Sequence, residues 1–208
     1  MALLPYNSVV TTPAASKDMT TLATVKAELT ISGTTHDAYF AALIQQASSK
    51  AVELSGREFA QEELTDRFRV ERCDTTLRLT RRPIASVTSL EEGGTALTAG
   101  TDFEILAQAG QLLRIDGDGT PRPWGYGLVE IVYVAGWEML TELPHALERI
   151  VIDEVKRGWM ARERDPLLKA EDVPGVLRSE WWIDRGSGGK DPMLTALADA
   201  GFVDAFFV

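Results

Sequence analysis

Residues 37–71 read DAYFAALIQQASSKAVELSGREFAQEELTDRFRVE, and a change of rhythm inside them decides the fold. From Asp37, residues Phe40, Leu43, Ile44, Ala47, Ala51 and Leu54 recur at three- and four-residue intervals, which places them on one stripe of a helix. Gly56 stands where a helix C-cap belongs, because glycine enters the left-handed conformation without a Cβ clash. Beyond it the period falls to two. Leu64, Phe68 and Val70 alternate with Thr65, Arg67, Arg69 and Glu71, the pattern of a half-buried strand. A helix with one apolar face therefore runs directly into a sheet.

Downstream, short strands are expected at Leu77–Leu79, Ile84–Leu90, Phe103–Leu106, Leu112–Ile115 and Leu128–Val134. Glycine- and aspartate-rich turns at 92–94, 99–102 and 116–119 separate them, which predicts an antiparallel sheet or small barrel. The helical period returns at Leu143-Pro144 through Leu147, Ile150, Val151, Val155 and Trp159, and should stop before Asp165-Pro166. Upstream, after a loose Ser/Thr-rich lead, Thr20 or Thr21 can cap a short helix through Leu22, Val25 and Leu29, ending near Ser32-Gly33. The fold class is α+β, a small α-helical bundle with an antiparallel β-rich insertion and an extended C-terminal tail. The parts are 1–60 (N-terminal helices of the bundle), 61–138 (β-rich insertion), 139–170 (C-terminal helix) and 171–208 (tail, with a short helix near Met193–Ala200). The two long helices are expected to pack through Phe40, Leu43, Ile44, Leu147, Ile150 and Val151.

The 208 residues are 45% hydrophobic and 25% charged, the balance of a folded chain rather than a disordered or disulfide-stapled one. Cys73, the single cysteine, cannot form an internal disulfide. With 21 Lys+Arg against 31 Asp+Glu the net charge is -10, and no third of the chain is net basic. Affinity for phosphate backbones or for an anionic membrane needs the opposite sign. Residues 1–6 lack the basic and apolar regions of a signal peptide, and no stretch approaches the ~20 apolar residues of a membrane span.

Asp116-Gly117-Asp118-Gly119-Thr120 is the most motif-like string. It resembles the first motif of haloacid-dehalogenase-type phosphotransferases, where the first Asp attacks phosphorus, the second is acid/base, and magnesium lies between them. A magnesium-dependent phosphohydrolase centred on Asp116 and Asp118 is thus the alternative reading. A tight hairpin turn is the plainer one, since Pro121-Arg122-Pro123 follows instead of a helix. A calcium loop fails at Pro121 and Gly127, where a glycine and a bidentate Glu are needed. His36 and His145 are too few for a histidine metal site. No catalytic, cofactor or metal residue is assigned. Partner contacts are instead expected from the large apolar residues of the tail, Trp181, Trp182, Phe202, Phe206 and Phe207, and from the basic stretch Arg157, Arg162, Arg164 at the end of the third long pattern.

Taken in order, the landmarks resemble the tailed-phage head–tail connector family, the head-completion adaptors. The resemblance spans residues 20–165: Ser55-Gly56-Arg57, Arg82-Pro83-Ile84-Ala85-Ser86-Val87, Asp102-Phe103-Glu104-Ile105, Tyr133-Val134-Ala135-Gly136-Trp137, Leu143-Pro144-His145-Ala146 and Ala161-Arg162-Glu163. It implies a structural virion protein of the neck, without catalysis or cofactor, made in the host cytoplasm. It further implies a ring of about twelve identical subunits under the portal protein, closed by one repeated heterologous contact. A stopper or tail-completion protein would be the next partner, and double-stranded DNA would pass without specific binding. A neighbouring stopper role is a further alternative.

Overall fold

In the computed structural model the described residues are 2–162, 170–173, 177–180 and 191–203. In chain order the elements are β1 (Asn7–Thr12), α1 (Leu22–Leu29), α2 (Asp37–Ser55), β2 (Glu62–Val70), β3 (Thr76–Arg78), β4 (Ile84–Glu92), β5 (Thr95–Ala96), β6 (Phe103–Leu106), β7 (Gln111–Arg114), β8 (Gly127–Ala135), α3 (His145–Ala161), β9 (Ala170–Val173), β10 (Leu177–Glu180) and α4 (Pro192–Asp199). The class is α+β. The chain divides into a helical unit, residues 17–57 with 139–208, and a β unit, residues 1–16 with 58–138.

In the helical unit α1 begins at Thr21, whose hydroxyl accepts the Thr24 amide at 3.1 Å, and α2 ends on Gly56 at φ 66°. The α2 and α3 faces meet through Phe40, Ile44, Ala47, Ala51, Leu147, Val151, Ile152 and Val155, all buried. Leu43 and Ile150, expected at the centre of this contact, lie half-buried at its margin. Each sits one helical step off the stripe that the opposite helix covers. Gly158 lets Leu43 approach, since a Cβ there would meet Leu43 Cδ2 at 3.0 Å. Truncating Ile44 or Leu147 to Ala should cost about 2–4 kcal/mol, and Leu43 or Ile150 to Ala about 1 kcal/mol, in thermal melts. Equal losses at all four would contradict this placement.

The short helix expected near Met193–Ala200 is present as α4, and the strand pair before it is the part of the tail not expected. β9 and β10 pair antiparallel, Leu177 opposite Val173, and α4 packs on α2 and α3 with Met193 and Leu197 buried. Two apolar residues one turn apart, an Asp191 side chain capping the Met193 amide at 2.8 Å, and Pro192 in the first turn are sufficient for a short helix.

In the β unit a five-stranded antiparallel sheet has the order β1-β2-β8-β4-β5, and a three-stranded one the order β3-β7-β6. The two share one core, built from Leu64, Phe68, Leu77, Leu90, Phe103, Leu112, Trp124, Val129, Ile131 and Tyr133. β2 alternates as expected, yet its buried row also carries Glu62 and Asp66. β1 forms where the sequence suggested only a loose lead, because an edge strand exposed along its whole length shows no apolar alternation.

Candidate partner interface

Arg157 and Arg162 of the basic stretch at the end of α3 are engaged within the helical unit. Arg157 pairs with Glu154 one turn back at 2.7 Å, and the Arg162 guanidinium lies 3.4 Å from the centre of the Trp159 ring. Trp159 also meets Phe40 with centroids 4.5 Å apart, and His36 edge-on at 5.1 Å. Tyr39 and Met160, beside this cluster, are exposed. His36 holds the N-cap position of α2 without a side-chain cap bond, and His145, first in α3, is fully exposed. Phe202 is half-buried, with its amide on the Leu197 carbonyl at 2.9 Å. Arg164, Trp181, Trp182, Phe206 and Phe207 lie outside the described residues.

An ion network fastens α4. Lys50 Nζ lies 2.7 Å from both Glu154 and Asp191, so one cation of α2 ties α3 to the cap of α4. Burial, the largest single influence, opposes charge on both Lys50 and Asp191, but it is outweighed together by the hydrogen bonds and charges of Asp191 and Glu154 for the lysine, and by the Lys50 bond and charge with the Met193 amide for the aspartate. The lysine pKa therefore rises and the aspartate pKa falls. A lowered carboxylate pKa contributes stability that is present above its ordinary value near 3.8 and is lost as pH falls through the folded value. Asp191→Asn should thus flatten the acid limb of the melting profile below about pH 4 and lower the plateau at neutral pH. An unchanged acid limb would show that the network does not hold α4.

Asp116 works inside its own turn. Its carboxylate accepts the Asp118 amide at 3.1 Å and the Thr120 amide at 2.8 Å, and its backbone amide donates to the Thr120 carbonyl at 3.0 Å. An antiparallel bridge, Ile115 to Pro121, closes the hairpin where a phosphotransferase would start a helix. No cluster of three His, Cys, Asp or Glu side chains fit for a metal ion occurs among the described residues.

Sequence reasoning missed the buried polar residues of the β unit. Asp66, fully buried, accepts the Tyr133 hydroxyl at 2.9 Å, the Thr80 amide at 2.8 Å and the Thr80 hydroxyl at 3.1 Å. Tyr133 in turn accepts the Arg81 amide at 3.3 Å. Glu62 pairs with Arg81. Arg114 reaches Glu92 at 3.1 Å and the Asp102 and Ile115 carbonyls, with Trp124 5.7 Å away. The available signal was parity: Glu62 and Asp66 occupy the same alternate positions as Leu64 and Phe68.

No protein-family model matches the chain, and no curated protein matches it. Solved structures do. One chain comes from the neck of an empty gene transfer agent (GTA) particle computed with C6 symmetry, with TM-score 0.52 and 18% identity over 79% of this chain and 89% of that one. Another comes from the neck of a native GTA particle computed with C12 symmetry, with TM-score 0.51 and 18% identity over 81% and 88%. A third, from the virion of a native GTA particle, gives 0.51 and 18% over 80% and 89%. At this identity the likeness is one of fold.

Proposed function

We propose that this protein is a structural component of a particle neck, the adaptor that forms a ring under the portal and joins the capsid to the tail. The observation that carries the reading is the fold likeness to chains of a phage-like neck, reached independently of the residue landmarks that resemble head–tail connectors. Charge supports it. The net charge is -10 with no third of the chain net basic, and a wall of like charge lets a phosphate backbone pass without holding it. The Asp116 turn supports a role without catalysis, since two backbone amides hold Asp116 Oδ1 inside a hairpin that closes where a phosphotransferase would start a helix.

Like-charged subunits repel, so the isolated protein is expected to be monomeric, with rings forming only where the portal presents several sites at once. Sedimentation of the free protein, followed by electron microscopy after mixing with the portal ring of the same particle, tests this. The expected result is a monomer alone and a second ring stacked on the portal when mixed. A magnesium-dependent phosphatase activity abolished by Asp116→Asn, with no portal binding, would overturn the reading.

A further inference from the structure

A closed ring needs two different surfaces on each subunit that fit one another. The β unit has such a pair in the two open edges of its five-stranded sheet. At one edge all six residues of β1 are exposed, and among the described residues no strand pairs with its outer side. At the other, β5 covers β4 only at Glu91 and Glu92. The Ile84 amide donates to Ala107 and the Leu90 carbonyl accepts from Leu97, and among the described residues no strand pairs with residues 85–89 between them on the side away from β8. Ala85, Ser86, Thr88 and Ser89 there are exposed.

Soluble proteins blunt open edges with charge, most often lysine. One residue in four of this chain is charged, yet residues 6–16 and 83–90, which contain the two edges, hold no charged side chain at all. β4 is bulged twice against β8 and β1 once against β2, so both edges are twisted and any pairing between them is short. Direction is favourable as well. β1, β2, β8 and β4 are joined by three successive antiparallel pairings, so β1 and β4 run in opposite senses. When copies follow one another around a ring without inversion, β1 of one meets β4 of the next antiparallel, the pairing in which hydrogen bonds run straight across.

We infer that β1 of each subunit adds to the β4 edge of a second copy of this chain, so that the sheet continues from subunit to subunit. The inference rests on the ring reading above. Backbone hydrogen bonds supply the contact and the uncharged Ser, Thr, Val and Ala side chains allow it.

Cross-linking tests it. In a Cys73→Ser background, Val9→Cys is combined in turn with Ala85→Cys, Ser86→Cys, Thr88→Cys and Ser89→Cys, and each protein is oxidised free and on the portal ring. Within one chain β1 and β4 are three strand spacings apart, about 14 Å, twice the reach of a disulfide, so any bond between them is intermolecular. The expected result is a ladder of covalent multimers on the portal for at least one combination and none for free protein. Separately, Val9→Lys and Thr88→Lys should each weaken ring assembly by about tenfold without changing the melt. Rings that form normally, with no cross-link and no effect of either lysine, overturn the edge pairing and leave the ring reading standing. Absence of any ring on the portal overturns both. A cross-link from Val9→Cys to the portal itself would make the portal the occupant and also overturn the inference.

Discussion

Gly136→Ala is expected to unfold the β unit at temperatures where the parent is fully native. Gly136 follows β8 at φ 105°, a conformation L residues rarely adopt, and its amide donates to the Pro83 carbonyl at 2.9 Å. A Cβ would stand 2.4 Å from the Ala60 carbonyl oxygen and 2.8 Å from that of Phe59. Those atoms cannot withdraw, because the Phe59 carbonyl accepts the Trp137 amide and the Gln61 amide donates to the Trp137 carbonyl, each at 2.9 Å. Strain and backbone overlap together should cost about 4 kcal/mol or more. Gly119→Ala separates the two contributions: its φ is 79° with nothing within 4 Å, so strain alone remains, about 1 kcal/mol. Comparable melts for the two variants would show that the approach of residues 59–61 to 137 is not tight.

The second large effect belongs to Asp66. Asp66→Ala removes a buried acceptor that serves three donors, the Tyr133 hydroxyl in the core of the β unit and the amide and hydroxyl of Thr80, which is itself exposed. The cost should be about 3–5 kcal/mol, against about 1–2 kcal/mol for Tyr133→Phe, which leaves Asp66 two of its donors. Burial first, then the charge of Asp66, pushes the Tyr133 phenol well above its ordinary value of 10. A raised pKa contributes stability that is fully present below the unfolded value and is lost as pH rises through the folded one, so the fold weakens above about pH 10. Of the four tyrosines, Tyr133 should ionise only with unfolding, and Tyr133→Phe should remove that alkaline step from an absorbance titration. An early, reversible titration of all four would contradict the buried network.

Legibility followed burial. α2 could be read residue by residue because one face is covered and Gly56 ends it, and β2 because alternate residues are covered. β1 left no trace: Val9 and Val10 point to opposite faces and both are exposed, so nothing in their order marks a strand. The β9–β10 pair was read as tail, although Pro174-Gly175 between them in sequence is a turn signal in its own right. The sequence reading leaves Asp66 out of the alternation, although its parity with Leu64 and Phe68 assigns it inward. The chemistry of a buried carboxylate depends on Thr80 and Tyr133, both remote in sequence, and a local window holds neither. The Asp116 string illustrates the converse, since a motif is only as good as the elements on either side of it, and here a hairpin closes it.

The placement of β1 also orders events on the ribosome. β1 is made well before the strand it pairs with, β2, which begins at Glu62, and β2 in turn waits for β8 at Gly127–Ala135. At about 5–20 residues per second, an uncharged, β-prone hexapeptide stands unpartnered for several seconds. α2 waits similarly for α3, at His145–Ala161. The β unit cannot close before β8 has been made, nor the helical unit before α3, so until then the nascent subunit depends on its surroundings, rather than on early native contacts, to keep that strand from pairing with strangers.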